Sequence, residues 1–401
     1  MNPLITEEKV RDYINEMSTK NLNIHSFLLS KSPFPGISIQ ELAQQIIGRK
    51  IAKNKLPTWF ENHTIVYPKK LNLEQTSSEI TAAYKSKLVD GNTLVDITGG
   101  FGVDDYYFAK KINTVVHCEL QKEVSEIAAH NFKQLQVPNI EVVNTDGLEH
   151  LNHIENIDVI YADPSRRNHQ IKKVFFLEDC LPNIPENLGL LFKKCPVILV
   201  KTSPLLDIKK GLDSLQNVKE IHVVAVKNEV KELLWILTRE FEGATVIQTA
   251  NLLPENSHYF SFSLDEVSYT PEAYAEPKKY LYEPNKAILK SGGFHQLSKK
   301  YKVQKLQEHS HLYTADKLLD FPGRCFEITG VHSFQKKSIQ KLNFKKANIT
   351  VRNFPLTVQE FRKKFKITDG GEVYLFLTTL ANTRKVIIEC KKKEMHQNAS
   401  L

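Results

Sequence analysis

Four carboxylates, Asp96, Glu119, Asp146 and Asp163, each close a short apolar run, and Gly99, Gly100 and Gly102 follow the first of them. A strand, a glycine turn and a helix start present backbone N–H groups and a positive helix end to a ligand. A dinucleotide loop would place a third small residue where helix and strand meet at the pyrophosphate. Here Gly100-Phe101-Gly102 leads instead into Val103, Asp104 and Asp105. Asp96, Asp104 and Asp105 would repel a diphosphate. A carboxylate at Asp96 suits a cationic amine, which the methionine end of S-adenosylmethionine carries. Glu119, about 20 residues on, stands where an acid takes both ribose hydroxyls. Asp146, before Gly147, can accept from an adenine amino group. The candidate cofactor set is therefore Asp96, Thr98, Gly99, Gly100, Phe101, Gly102, Glu119, Leu120, Asp146, Gly147 and Asp163. Any one of these acids could equally cap the next helix, and the glycine turn could merely connect strand to helix. Four acids in register with a glycine loop point to a cofactor.

The elements that must hold these residues are legible as alternation. Strand patterns at 93–97, 115–119, 140–144, 158–163, 197–201, 221–226 and 232–238 are separated by helical spacing, clearest over 122–135. That predicts a doubly wound, Rossmann-like α/β sheet of seven strands. The last two strands are joined by the short polar stretch 227–231, which predicts an antiparallel edge hairpin. In an open α/β sheet, ligands sit outside the carboxyl ends of the strands, where all four acids fall. Ahead of the sheet, residues 7–17 and 39–51 have helical periodicity. Thr76, Ser77 or Ser78 can cap a helix reaching Leu88, either as an ordinary cap or with its polar start lining the cofactor mouth. Residues 257–264 alternate as a strand. The predicted organisation is a helical N-terminal unit at 1–72, the α/β domain at 73–242, an α+β linking domain at 243–329 and a basic domain at 330–401.

At 401 residues the chain is too long for one typical core, and its composition is ordinary for globular protein. No apolar run is long enough to span a bilayer, and the first residues lack the pattern of a secretory signal. Five scattered cysteines without C-x-x-C spacing predict reduced thiols in a cytoplasm, with no disulfide framework and no zinc site. H-E-x-x-H, G-x-S-x-G and Walker patterns are missing, and His117, His130 and His169 have no partner spacing, so no metal and no role for these histidines is expected. Charge is lopsided: between 331 and 393 fifteen Lys and Arg face four acids, a surplus of eleven against +8 for the whole chain.

The loop at Asp96, the acid Glu119, Asp146 and the Asp163-Pro164 turn resemble motifs I to IV of class I S-adenosylmethionine-dependent methyltransferases. Within that group the chain is similar to RNA methyltransferases with THUMP or THUMP-like domains and to the RNA guanine-N2 class. Residues 353–379 look like the THUMP-like segment of bacterial members. The resemblance implies methylation of an RNA base, at an exocyclic amine such as guanine N2 of tRNA or rRNA, with RNA held by the basic C-terminal region. Base-amine methylation wants an acid before Pro-Pro and an aromatic, so that acid and backbone carbonyl accept the amine protons and aim the lone pair at the methyl group. Asp163 and Pro164 fit. Ser165 replaces the second proline, and Arg166 and Arg167 stand where the aromatic belongs. An Arg plane can stack on a base or hold a phosphate, or the pair can bridge loop carboxylates. Tyr161 and Phe101 could supply aromatic surface. Lys201 is either a strand-end salt-bridge residue or part of the substrate side. Two other classes stay open: an RNA-binding protein with a silent methyltransferase fold, and a methyltransferase for a protein or small molecule.

Overall fold

The computed structural model describes residues 1–166, 176–267, 274–335 and 344–393. Two compact units divide the chain: Met1–Glu220 with Glu232–Gly243, and Ile221–Lys231 with Ala244–Leu401.

The first unit opens with helices α1 (Glu8–Thr19) and α2 (Ile39–Lys55). A reciprocal Ser38–Glu41 capping box starts α2, satisfying orphan N–H groups at its first turn. Leu42 and Ile46, four apart on one face, are fully buried, and their core extends through Trp59 and Tyr67 to Phe101 and Val103 of the glycine loop. The helical segment and the loop thus share one hydrophobic cluster. Helix α3 (Glu79–Lys85) is capped by Ser78, whose Oγ accepts from the Thr81 N–H.

The strands of the α/β sheet are β1 (Thr93–Asp96), β2 (Thr114–Cys118), β3 (Ile140–Val143), β4 (Val159–Ala162), β5 (Val197–Thr202), β6 (Val218–Val226) and β7 (Glu229–Thr238). They run in the order β6-β7-β5-β4-β1-β2-β3. β1 pairs in parallel with β2 and β4, β2 with β3, and β4 with β5; β7 lies antiparallel to β5. The seven predicted strands and the antiparallel β5–β7 pairing are present, but the sheet has nine strands: Val246–Leu252 and His258–Ser263 continue it beyond β6, so the β6–β7 hairpin is not its edge. The turn between β6 and β7 is shorter than 227–231: Lys227 and Asn228 alone make it, both with positive φ, as a two-residue hairpin turn requires. Helices α4 (Val103–Phe108), α5 (Lys122–Gln134) and α6 (Ile184–Lys194) fall between strands. Asp158 fixes the start of β1 beside β4: its Oδ2 accepts from the N–H groups of Asn92 and Thr93 at 2.6 and 2.9 Å.

In the second unit, β8 (Val246–Leu252) and β9 (His258–Ser263) form an antiparallel pair. A further sheet contains β10 (Tyr280–Pro284), β11 (Tyr313–Ala315), β12 (Gly323–Ser333), β13 (Asn348–Arg352), β14 (Val373–Thr379) and β15 (Lys385–Lys393), in the order β11-β10-β12-β15-β14-β13. Among the described residues of this sheet only β13 and β14 pair in parallel, joined through α7 (Val358–Phe365). Phe361 of α7 packs with Leu375, Leu377 and Ile387 on one face of this sheet.

Candidate active site

The glycine loop is fixed from below. Asp96, at the end of β1, turns inward: its Oδ1 accepts from the Thr98 N–H at 2.7 Å and the Thr98 Oγ at 2.9 Å. Gly99 donates to the Cys118 carbonyl at 2.9 Å, tying the loop to β2. Gly99 has no room for a side chain, since a Cβ would come within 2.4 Å of the His117 ring. Gly102 combines a φ of +80° with Phe132 only 2.3 Å from a notional Cβ. At Gly100 a Cβ would meet nothing nearer than the Thr98 carbonyl at 3.7 Å, so here the backbone faces open space. A ligand can approach the main chain at this point.

The acids at the strand ends converge on that loop. Glu119 accepts from the Gly100 N–H at 2.9 Å and from the Gln121 N–H at 2.6 Å. Leu120 beside it is largely exposed. Asp146 caps the following turn, accepting from Leu148 and Glu149, and Gly147 lies so close to Ile97 that a Cβ would stand 2.4 Å from its carbonyl oxygen. Asp163 follows β4, and its N–H donates to the Thr98 Oγ at 2.8 Å. One threonine thus joins Asp96 to the Asp163-Pro164 turn. Ser165–Arg166 forms a two-residue strand paired with Cys180–Leu181. Arg167 lies outside the described residues.

Two aromatic candidates are not available as open surface. Phe101 is buried beside Trp59 and Tyr67, because the N-terminal helices cover the loop on that side. Tyr161 is buried too, and its hydroxyl donates to Asp104 Oδ2 at 2.8 Å.

Beneath the site runs a charged network that the sequence did not disclose. The Lys85 ammonium, fully buried, lies 3.1 Å from Asp104 and donates to Glu232 at 3.0 and 3.1 Å and to Ser77 at 2.8 Å. Ser77 in turn donates to Asp104 at 2.9 Å. Lys201, 12% exposed, is ion-paired with Asp163, 34% exposed. Burial would raise the Asp104 carboxyl, but Lys85, Lys201 and two hydroxyl donors hold it below the usual range. Burial pushes Glu232 up. Burial works against the charge on Lys201, yet Asp163, Glu232 and Asp104 raise it above an ordinary lysine. Ser77 belongs to the polar start of α3, where Ser78 is the N-cap and Ser77 joins the buried network through Asp104 and Lys85. Lys85 and Glu232 are 147 residues apart, and no spacing rule links them.

A second cluster lies under Gly99. Asp105 Oδ2 is 2.5 Å from His117 Nδ1, and both side chains are buried. Burial, then the neighbouring acid, raises both Asp96 and Asp105 well above ordinary carboxyls, while burial lowers His117. These three groups therefore favour their neutral forms. His117 carries the loop on its ring, a role that its isolated position in the sequence did not suggest. Among the described residues no group of His, Cys, Asp or Glu is arranged to hold a metal ion, and no helix is long and apolar enough to cross a membrane.

A ferredoxin-like domain model matches residues 280–322, and a THUMP domain-like model matches residues 323–392. Nothing among curated proteins matches the chain. A crystal structure from Porphyromonas gingivalis W83, described as a candidate methyltransferase, is 33% identical, covers 97% of this chain and 99% of its own, and superposes with a TM-score of 0.86. TrmK of M. capricolum, solved with S-adenosyl-homocysteine, is 15% identical over 41% of this chain and 70% of its own (TM-score 0.32). An rRNA methylase from Streptococcus thermophilus is 16% identical over 40% of this chain and 94% of its own (TM-score 0.29). With 33% identity over nearly the whole of both chains, the chain belongs to the family of the P. gingivalis protein, a methyltransferase-type α/β sheet followed by ferredoxin-like and THUMP-like domains.

Proposed function

We propose that the chain transfers a methyl group from S-adenosylmethionine to an exocyclic amine of an RNA base, guanine N2 of tRNA or rRNA being the case its motifs fit best. The observation that supports this most directly is the hydrogen bond from the Asp163 N–H to Thr98, which fixes the acceptor acid to the glycine loop. The residues suit the cofactor: open backbone at Gly100, with Glu119 and Asp146 at the neighbouring strand ends. When bound, the cofactor supplies an electrophilic methyl group. The chain's own part is positioning. Asp163, held by Thr98 and Lys201, accepts an amine N–H and so turns the nitrogen lone pair outward. Pro164, buried, restricts the backbone that carries it. The THUMP-like domain and the basic surplus of 331–393 would attract RNA through its phosphates. The free, buried cysteines accord with action in the cytoplasm.

The test supplies labelled cofactor to the purified chain with total RNA from a strain lacking it. Label should enter RNA. Asp163→Ala should lower transfer by about 100-fold or more, while cofactor affinity changes by less than about threefold. A fully active Asp163→Ala would refute the catalytic assignment. Cofactor binding without transfer to any RNA would favour the silent-fold alternative.

A further inference from the structure

A small cleft in the first unit lies between α1, α2 and the segment 63–67, lined by Arg11, Asn15, Gln45, Arg49, His63 and Tyr67. It has room for about one water-sized group at its floor. Arg49 is 4% exposed. Among the described residues no carboxylate lines the cleft. The Nε atoms of Arg11 and Arg49 are both enclosed and find no hydrogen-bond partner among the described residues. Gln45 offers no compensation, because its amide is committed at both ends to the Tyr67 main chain. The Tyr67 hydroxyl donates to the Trp59 carbonyl and its oxygen faces the Arg49 guanidinium, a neutral contact that leaves the charge of Arg49 without a carboxylate.

A guanidinium taken out of water without a counter-charge is strongly unfavourable. The Phe60 ring, 4.4 Å from the Arg49 guanidinium carbon, offsets part of that through a cation–π contact. It supplies neither a counter-ion nor a hydrogen-bond acceptor. Arg11 is half-buried and His63 exposed, so the cleft opens to solvent on their side. Two planar donor groups lining a small cleft, with half-buried Arg11 and exposed His63 at its rim, match a tetrahedral oxyanion that enters by one or two oxygens.

We infer that Arg11 and Arg49 form a binding site for a phosphate group, separate from the glycine loop. The phosphate can belong to an RNA backbone or to a free phosphate compound, and the chemistry at the guanidiniums is the same.

The test uses the full chain and inorganic phosphate as probe, with chloride at matched ionic strength as control. The melting midpoint of the wild type should rise saturably with phosphate. Arg11→Gln and Arg49→Met should each weaken that response at least tenfold. Without phosphate, Arg49→Met should melt no lower than wild type, because it removes a buried charge that has no counter-ion. Should Arg49→Met not fold, Arg11→Gln at the half-buried rim still decides the matter. A wild type that responds to phosphate no more than to chloride, or an Arg11→Gln that responds like wild type, overturns the site. A second arm measures RNA binding against salt. A log–log slope about 0.7–0.9 shallower in Arg11→Gln assigns the phosphate to RNA. An unchanged slope with the phosphate response lost assigns it to a free phosphate compound. If RNA binds neither protein, the RNA reading of the active site fails while the phosphate response stands by itself.

Discussion

Lys85→Met should uncover how much of the first unit rests on one buried cation. In the native chain the Lys85 ammonium meets Asp104 at 3.1 Å and both oxygens of Glu232 at 3.0 and 3.1 Å, with Ser77 as a fourth contact. Methionine fills the volume but leaves Glu232 and Asp104 with Lys201 as the remaining cation, and Lys201 is already paired with Asp163. Removing one partner of a buried ion pair costs about 3–5 kcal/mol. For a unit of this size that corresponds to a fall in midpoint of roughly 6–20 °C. Both tryptophans, Trp59 and Trp235, are buried in the first unit, so intrinsic fluorescence reports its melting separately from the second. The deficit should also depend on pH. Burial holds the Glu232 carboxyl above its ordinary value, and losing Lys85 raises it further. A raised carboxyl contributes stability that is complete below the unfolded value and lost as pH rises through the folded one. The gap between variant and wild type should therefore narrow as pH falls from 8 toward 5.5. Adding Glu232→Leu should restore part of the loss, giving a coupling of about 1–3 kcal/mol. A midpoint within about 2 °C of wild type at pH 7.5, or a deficit independent of pH, would refute the network as a structural necessity.

Gly102→Ala places a Cβ 2.3 Å from Phe132 at a φ of +80°; it should cost about 2–4 kcal/mol and weaken cofactor binding at least tenfold, measured by calorimetry. Cofactor affinity should rise with pH, because Asp96 starts from a raised carboxyl and a cationic amine nearby favours its ionised form. Calorimetry in buffers of different ionisation heat should then show proton release on binding, and proton uptake would contradict it. Replacing the exposed Lys345, Lys363 and Lys366 by Gln should make the RNA salt slope shallower by about 2–3. Arg362→Gln should instead lower the stability of the second unit, because Arg362 pairs with Asp369 and donates to the Ala347 carbonyl at 3.1 Å.

The sheet was legible because each strand is a short apolar run between glycine or polar breaks, and periodicity needs no partner to be seen. Seven of the nine strands and the antiparallel hairpin follow from that local signal, whereas the continuation of the sheet through β8 and β9 does not. The hairpin turn was placed too wide because Glu229, Val230 and Lys231 look polar enough for a loop. Only the positive φ of Lys227 and Asn228 shows how tight the turn is. The site was legible in its acids but not in their orientation. Asp96 sits at the predicted strand end, yet it faces Thr98 below the loop, a direction set by the third dimension. Phe101 lost its exposed aromatic role to the helices packed over it, which no residue near the loop announces. Lys85 and Glu232 find each other across 147 residues, and the pairing exists only once the sheet is closed.

The charges around Asp163 bear on which substrates can reach it. Lys85 and Lys201 contribute two positive charges to the network, against three carboxylates in Asp104, Glu232 and Asp163. Among these described groups the surplus is negative, and it is expressed at Asp163, whose side chain is the most exposed of the three carboxylates. A phosphate brought to that turn would meet a carboxylate in a partly desolvated setting, where repulsion is screened poorly. A neutral base bearing N–H donors would meet an acceptor. The Asp163 carboxylate thus disfavours a nucleic-acid backbone at the turn. If RNA is the substrate, its phosphates must be held away from Asp163, and the base must enter the turn alone, extruded from its stack.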